Sequence, residues 1–345
     1  MIRLLIITQK VDESDDVLGF FCYWIRELAK RADKVFVICL SKGESSLPKN
    51  VHVISLGKEK NFPKVFQAIL FYYYAFKFLI RTDGVFVHMA PEYVKAIHPI
   101  NFFFRRPIVM WYAHIKVSPV AKWAIDRVNY ILTPSKESFE FNSDKVVATG
   151  HGINTEIFKP IERKFVGDVL TISRISKVKR IETLIESVRI LAGRGTHPTV
   201  NIYGKPARPE DDEYLSELKE SAENLPNIHW QGGVPNKDAP EVYANHKIFV
   251  RMQGGGGFGK TELEAMSMGV PSIVPTSVYQ RHLGKFANDL FFNEDDSEAL
   301  ANRIEKVLSW GKEDKDEYSK MARRLVVEKH NVENVADTVI RLLKQ

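Results

Sequence analysis

The 345-residue chain contains two cysteines, Cys22 and Cys39, both in apolar surroundings. They provide neither a disulfide framework nor zinc-ligand spacing, and they suit a reducing compartment. No apolar run is long and uninterrupted enough to span a bilayer, which takes about 20 residues. The nearest approach, "FPKVFQAILFYYYAFKFLI" at 62–80, is broken by Gln67 and Lys77. It reads as a helix either buried or dipping into a membrane surface, with burial the expectation. "MIRLLIITQK" turns polar too soon for a secretory signal and reads as a first strand. Tandem repeats and low-complexity tracts are absent, which excludes solenoids and disordered tails. A Gly-x-Gly-x-x-Gly after the first strand is also missing, which argues against a nicotinamide-dependent oxidoreductase.

What is present is a globular composition, 44% hydrophobic and 27% charged, on a chain of comfortable length for two domains. The net charge of +6 is uneven. Residues 1–150 hold 21 Lys/Arg against 14 Asp/Glu, and the remainder 28 against 29. Such an excess on one half suits either an anionic partner, such as lipid headgroups or nucleic acid, or a merely soluble basic surface. "NFFFRRP" at 101–107 sets three phenylalanines beside two arginines, as an interfacial patch or as a buried edge strand with a charged loop.

Short β-branched runs ("RLLIIT", "KVFVICL", "GVFVH", "PIVMWYAH") alternate with helical stretches through the first half. The pattern resets near 151–168 and repeats through "VLTIS", "TVNIYG" and "KIFVRM". This predicts an α/β protein of two doubly wound domains with parallel sheets, which place ligands at the carboxyl ends of their strands. The tail from about 297 is helical and charged.

Three features carry chemistry. In "TISRISKVKRIETL", Arg174 follows a strand and Lys179 precedes a helix. A planar fork and a point charge at one strand-to-helix turn suit a diphosphate, although a solvated basic loop reads equally well from these residues alone. In "MQGGGGFGKTELEAM", five glycines in six positions precede a helix, and backbone N–H groups at a helix start hold anions. Gly254 stands five residues before Gly259-Lys260-Thr261, yet the run lacks the upstream context of a P-loop. Glu264, one turn inside that helix, suits vicinal hydroxyls such as those of ribose. Glu262 falls on another face and is expected to be solvated, whereas Met266 and Met268 are expected in the core. His88 and His98 have no pattern that lifts them above structural roles. Asp314-Lys315-Asp316, the tight Asp-x-Asp, has the spacing of a solvated helix.

"HGINTEIFKP", "SRISKVKR", "VNIYG" and "GFGKTELEAMSMGVPSIV" occur in the order and at the separations of glycosyltransferase family 4, which the chain resembles most strongly over 148–275. The resemblance implies the GT-B architecture: two Rossmann-like domains facing each other across a cleft. It sets an acceptor-side domain at 1–155, a nucleotide-sugar domain at 156–325, and a C-terminal helix at 326–345 returning to the first domain. It further implies a retaining, metal-independent glycosyl transfer from a UDP- or GDP-sugar to a saccharide or lipid-linked acceptor, with no cofactor beyond the nucleotide sugar. Arg174 and Lys179 would neutralise the leaving diphosphate, and His114 would lie beside the donor sugar. Gly257, Phe258, Gly259, Lys260, Thr261 and Gly204 would line the donor, with Glu264 on the ribose. Gly19 would lie against the diphosphate, although Leu18 replaces one of the family's paired glycines. Peripheral contact with an anionic membrane and a cytoplasmic location at its inner face are expected, and a nucleic-acid partner is not.

One departure stands out. The family's second carboxylate, eight positions before Glu264, is replaced by Gly256. This points to altered donor recognition, through main-chain groups or Gln253, ahead of lost activity. The rival readings are an inactive nucleotide-sugar-binding partner or sensor, and a sugar-nucleotide epimerase of the same architecture.

Overall fold

A computed structural model describes residues 2–114, 117–139, 141, 143–255 and 257–345. The chain forms two compact units. One comprises Met1–Gly152, Pro235–Lys237 and His330–Gln345, the other Ile153–Val234 and Asp238–Lys329.

The first unit runs β1 (Ile2–Val11), α1 (Phe21–Lys30), β2 (Ala32–Lys42), β3 (Val51–Ser55), α2 (Lys64–Leu79) and β4 (Gly84–His88). It continues through α3 (Pro91–Phe104), β5 (Ile108–Trp111), α4 (Pro119–Ile125), β6 (Tyr130–Thr133) and β7 (Val146–Ala148). The strands pair in parallel in the order β3-β2-β1-β4-β5-β6-β7. β1 shows why both faces need cover. Leu4 and Ile6 point into one apolar cluster with Phe21, Trp24 and Leu28 of α1, whereas Leu5 and Ile7 enter another with Phe71, Phe78, Val94 and Ile97 of α2 and α3. Strands buried on both sides read as continuous apolar runs.

The second unit runs β8 (Gly167–Ile172), α5 (Ile181–Gly193), β9 (Val200–Tyr203), α6 (Pro209–Ser221), β10 (Ile228–Gly232), α7 (Ala239–Ala244) and β11 (His246–Val250). Then follow α8 (Lys260–Ser267), β12 (Ser272–Ile273), α9 (Ala287–Leu290), α10 (Ser297–Leu308) and α11 (Lys312–Lys329). Its parallel sheet has the order β10-β9-β8-β11-β12. The chain leaves the first unit after Gly152, because Ile153 and Phe158 already belong to the second unit's core. Val326 of α11 belongs to that core as well. The last helix, α12 (Val332–Leu343), joins the first unit's core through Val335, Val339 and Leu342, beside α1.

Two sequence expectations are corrected. The stretch 62–80 is not buried all round. Phe71, Ala75, Phe78 and Leu79 of α2 face the core, but Val65, Ile69 and Phe76 are exposed. Periodicity could not separate the faces because both are apolar. "NFFFRRP" is no edge strand. It ends α3, and Arg105 caps that helix in the left-handed region at φ 51°.

Candidate active site

In both sheets the strand order reverses beside the first strand, between β1 and β4 and between β8 and β11. Loops leaving adjacent strands at such a point diverge and open a crevice, the usual ligand position in an open α/β sheet. In the second unit those two loops carry the predicted cations and the glycine run.

Arg174 lies just beyond β8. Its guanidinium is exposed and has no hydrogen-bond or ion-pair partner among the described residues. Lys179 ends the following short turn, half-buried, and its Nζ donates to Gln253 Oε1 across the crevice at 2.7 Å. Burial pushes the Lys179 ammonium down to about 8, and the neighbouring charges of Arg174 and Arg251 push the same way, with Glu262 opposing. A half-buried cation among cations is a site short of negative charge.

Arg251, at the end of β11, was missed from sequence. It contacts Glu262 at 3.1 Å and donates to Thr276 Oγ1 at 2.6 Å. Its signal was the one used for Arg174, a cation immediately after a strand. The expectation of a solvated Glu262 is wrong: the side chain is 0% exposed and accepts from the N–H of Gly259. It caps α8 from its third position, as Glu does in capping boxes. The result corrects Gly259 too, since its N–H is committed to Glu262. A Cβ there would lie 2.5 Å from Glu262 Oε2 and 3.0 Å from Arg251 Nη1, so glycine is needed to admit the ion pair.

Thr261, in the first turn of α8, is half-buried, and its N–H has no acceptor among the described residues. The other end of α8 is closed by arginines. Arg163 donates to the carbonyls of Met268 and Gly269, and Arg323 to that of Ser267. Cations at a helix C-terminus complement its dipole and leave the positive end for a ligand. Glu264 is 2% exposed; Tyr243 Oη donates to Oε2 at 3.0 Å and Lys260 Nζ reaches Oε1 at 2.5 Å. Tyr243, also unforeseen, thus fixes the carboxylate.

Gly257 and Phe258 are buried, Phe258 beside the ring of His282 at 5.6 Å. Met266 and Met268 lie in the core as expected. The glycine run is held by Glu294, whose Oε1 accepts from the Gly254 N–H at 2.8 Å and lies 2.9 Å from Arg180 Nε. Gly256 lies outside the described residues. Gly204 must be glycine because a Cβ would stand 1.8 Å from the carbonyl oxygen of Ser173, next to Arg174.

The other two candidates belong to the first unit. Gly19 is buried after β1, and a Cβ would lie 2.5 Å from the Asp15 carbonyl, so local chain packing alone requires glycine. His114 is exposed beyond β5, with its ring 5.3 Å from that of Tyr112. His88 is buried, stacked on Phe21 at 3.9 Å, and burial drives it down to about 3, so it stays neutral. Among the described residues no group of three or more His, Cys, Asp or Glu is placed to hold a metal ion.

The second unit's cationic crevice coincides with residues 152–325, which match the family described as "Glycosyl transferases group 1". The chain belongs to that family. A curated relative of this family member is the O-antigen chain mannosyltransferase B of Escherichia coli, 28% identical over 170 residues. That match covers 44% of each chain. Two other curated relatives are matched over 24% of their length, so the chain spans well under two thirds of them. Solved structures agree along the whole chain. Anabaena HepE, in complex with UDP and glucose, superposes with TM-score 0.76 at 16% identity, covering 100% of both chains. Sucrose-phosphate synthase from Thermosynechococcus elongatus gives 0.78 at 15%, covering 99% and 98%. At that identity the likeness establishes the fold, which is GT-B.

Proposed function

We propose that this group 1 glycosyl transferase moves a sugar from a UDP- or GDP-sugar to a saccharide or lipid-linked acceptor, with retention at the anomeric carbon and without a metal. The observation that carries the reading is Lys179. It is a half-buried ammonium at the switch point of the sheet, its acidity raised first by burial and then by the charges of Arg174 and Arg251, which Glu262 only partly opposes. A diphosphate there supplies the missing charge.

As the glycosidic bond breaks, negative charge grows on the departing β-phosphate. Arg174, Lys179 and the amide of Thr261 stabilise that charge more than they stabilise the bound donor, which is what accelerates the step. Phe258 and Gly257 wall the phosphates. Lys260 sets the Glu264 carboxylate from one side and Tyr243 from the other, and the remaining lone pairs take the ribose hydroxyls. For His114 the reading keeps the role that the family resemblance implies, beside the donor sugar. Main-chain groups about Gly254, whose N–H is held by Glu294, replace a side-chain carboxylate in sugar recognition. The basic first unit brings the enzyme to anionic membrane, where a lipid-linked acceptor resides.

The test is a thermal-shift screen of nucleotide sugars and free nucleotides, since a ligand of the native state raises its melting temperature. Anomeric analysis of the product from the best donor follows. Stabilisation by a UDP- or GDP-sugar and an unchanged anomeric configuration support the reading. An inverted product removes retention, and binding without transfer or hydrolysis makes the chain a sensor instead.

A further inference from the structure

The outer face of α2 is unusual for a surface helix. Val65, Phe66, Ile69, Tyr73, Phe76 and Ile80 are exposed by 43–73%, in a stripe with helical spacing. The end of α3 extends it with Phe102 at 67% and Phe103 at 81%, and the Phe76–Phe104 ring contact at 5.6 Å joins the helices. Contiguous apolar surface of this kind marks an interaction site.

Its border is cationic. Lys64 and Lys77 lie on α2, Lys58 and Lys60 in the turn before it and Arg81 just after it, against one acidic residue between 56 and 82, Glu59. The Glu59 carboxylate already accepts from the Ser55 hydroxyl at 2.7 Å. Beside Phe102 opens a cavity of about 430 Å³ lined by His98, Asn101, Arg105, Arg106 and Arg127. Arg105, Arg106 and Arg127 make no direct ion pair among the described residues, although the Asp83 carboxylate feels the charge of Arg106. The floor is rigid: Asn101 Nδ2 donates to the Arg106 carbonyl at 2.9 Å, Arg106 Nε reaches the Leu79 carbonyl at 3.3 Å, and Arg127 lies over the Trp123 ring at 4.1 Å. Arginine forks not taken up by a direct carboxylate pair suit phosphate oxygens.

We propose that this face docks on an anionic bilayer. The α2 stripe, Phe102 and Phe103 enter the boundary between headgroups and acyl chains, and the arginine cavity receives a lipid phosphate. Charge selects the occupant. A second copy would set lysines and arginines against their like, whereas an anionic leaflet complements the cations that dominate the rim. An apolar face plus a basic patch makes the two signals that stable peripheral binding needs. The assignment deepens the membrane contact proposed above and rests on that reading, but it does not depend on the transfer chemistry.

Flotation of the full chain with phosphatidylcholine vesicles, with and without phosphatidylglycerol, at low and high salt, tests it. The expected result is recovery with the anionic vesicles at low salt alone. The double variant Phe102→Ser/Phe103→Ser should lower partition by about tenfold, as should Arg105→Gln/Arg127→Gln by about tenfold. These positions are on the surface, and unchanged melting curves confirm folding. A wild type that never floats, or variants that float as well as it does, overturn the proposal. So does a wild-type dimer in sedimentation that the phenylalanine variant dissociates. Nucleotide-sugar binding without vesicles is read in parallel. A chain that floats but binds no donor sinks only the transfer reading, and one that binds donor but stays in solution sinks the membrane contact with its docking face and leaves the transfer reading standing.

Discussion

Lys179→Met should stabilise this protein while disabling it. Methionine reproduces the length and most of the volume of the lysine stem, so packing is kept. What changes is the ammonium, held down from 10.5 to about 8 by burial and by Arg174 and Arg251. A drop of that size corresponds to roughly 3 kcal/mol disfavouring the charged form in the folded state. Solvent screening at a half-buried site brings this to roughly half, and losing the bond to Gln253 takes back up to about 1 kcal/mol. The net gain near pH 7 is about 1 kcal/mol.

The pH dependence is the sharper signature. Below pH 8 lysine is charged in both folded and unfolded chains, and the penalty is fully present. Between about 8 and 10.5 the unfolded chain binds more protons, so wild-type stability rises with pH relative to the variant. Above that window the difference is the lost hydrogen bond alone. Urea titrations of both proteins between pH 7 and pH 10.5, without nucleotide, measure it. A variant less stable at pH 7, or a difference that does not move with pH, refutes a site short of negative charge.

Arg174→Ala should leave folding intact, because the guanidinium has no structural partner. It should lower turnover by about a hundredfold or more, as lost oxyanion donors do; steady-state kinetics with the donor found by thermal shift decide it. Glu262→Ala should destabilise by about 3–5 kcal/mol in urea, since it strands the Arg251 charge. Wild-type stability there would mean that the pair is not formed. Tyr243→Phe removes one bond to Glu264 and should raise the donor KM by about fivefold with kcat unchanged. An unaltered KM would remove Glu264 from ribose binding.

Much of the fold was legible because both-faces-buried strands write continuous apolar runs, as "RLLIIT" and "KVFVICL" do. Arg174 and Lys179 were legible for a related reason: a cation straight after a strand stands at the sheet edge where ligands bind. Arg251 obeys the same rule in "KIFVRM" and was overlooked beside the glycine run. Glu262 was misread because helical phase sets which way a side chain points but not what covers it. The capping relation of a third-position Glu to Gly259 was the available clue. Tyr243 and Glu294 reach the site over 21 and 40 residues of chain, and nothing local in the sequence announces such contacts. The face of α2 left to solvent was hidden by its composition, since an all-apolar helix carries no phase.

The most direct test of the central claim is calorimetric titration of UDP- and GDP-sugars near pH 8 in buffers of differing ionisation enthalpy. If the diphosphate settles beside Lys179, binding returns that ammonium to its charged form. The wild type then takes up about half a proton per donor bound, and Lys179→Met takes up none. Binding with no proton uptake, or identical uptake in the variant, would place the donor elsewhere.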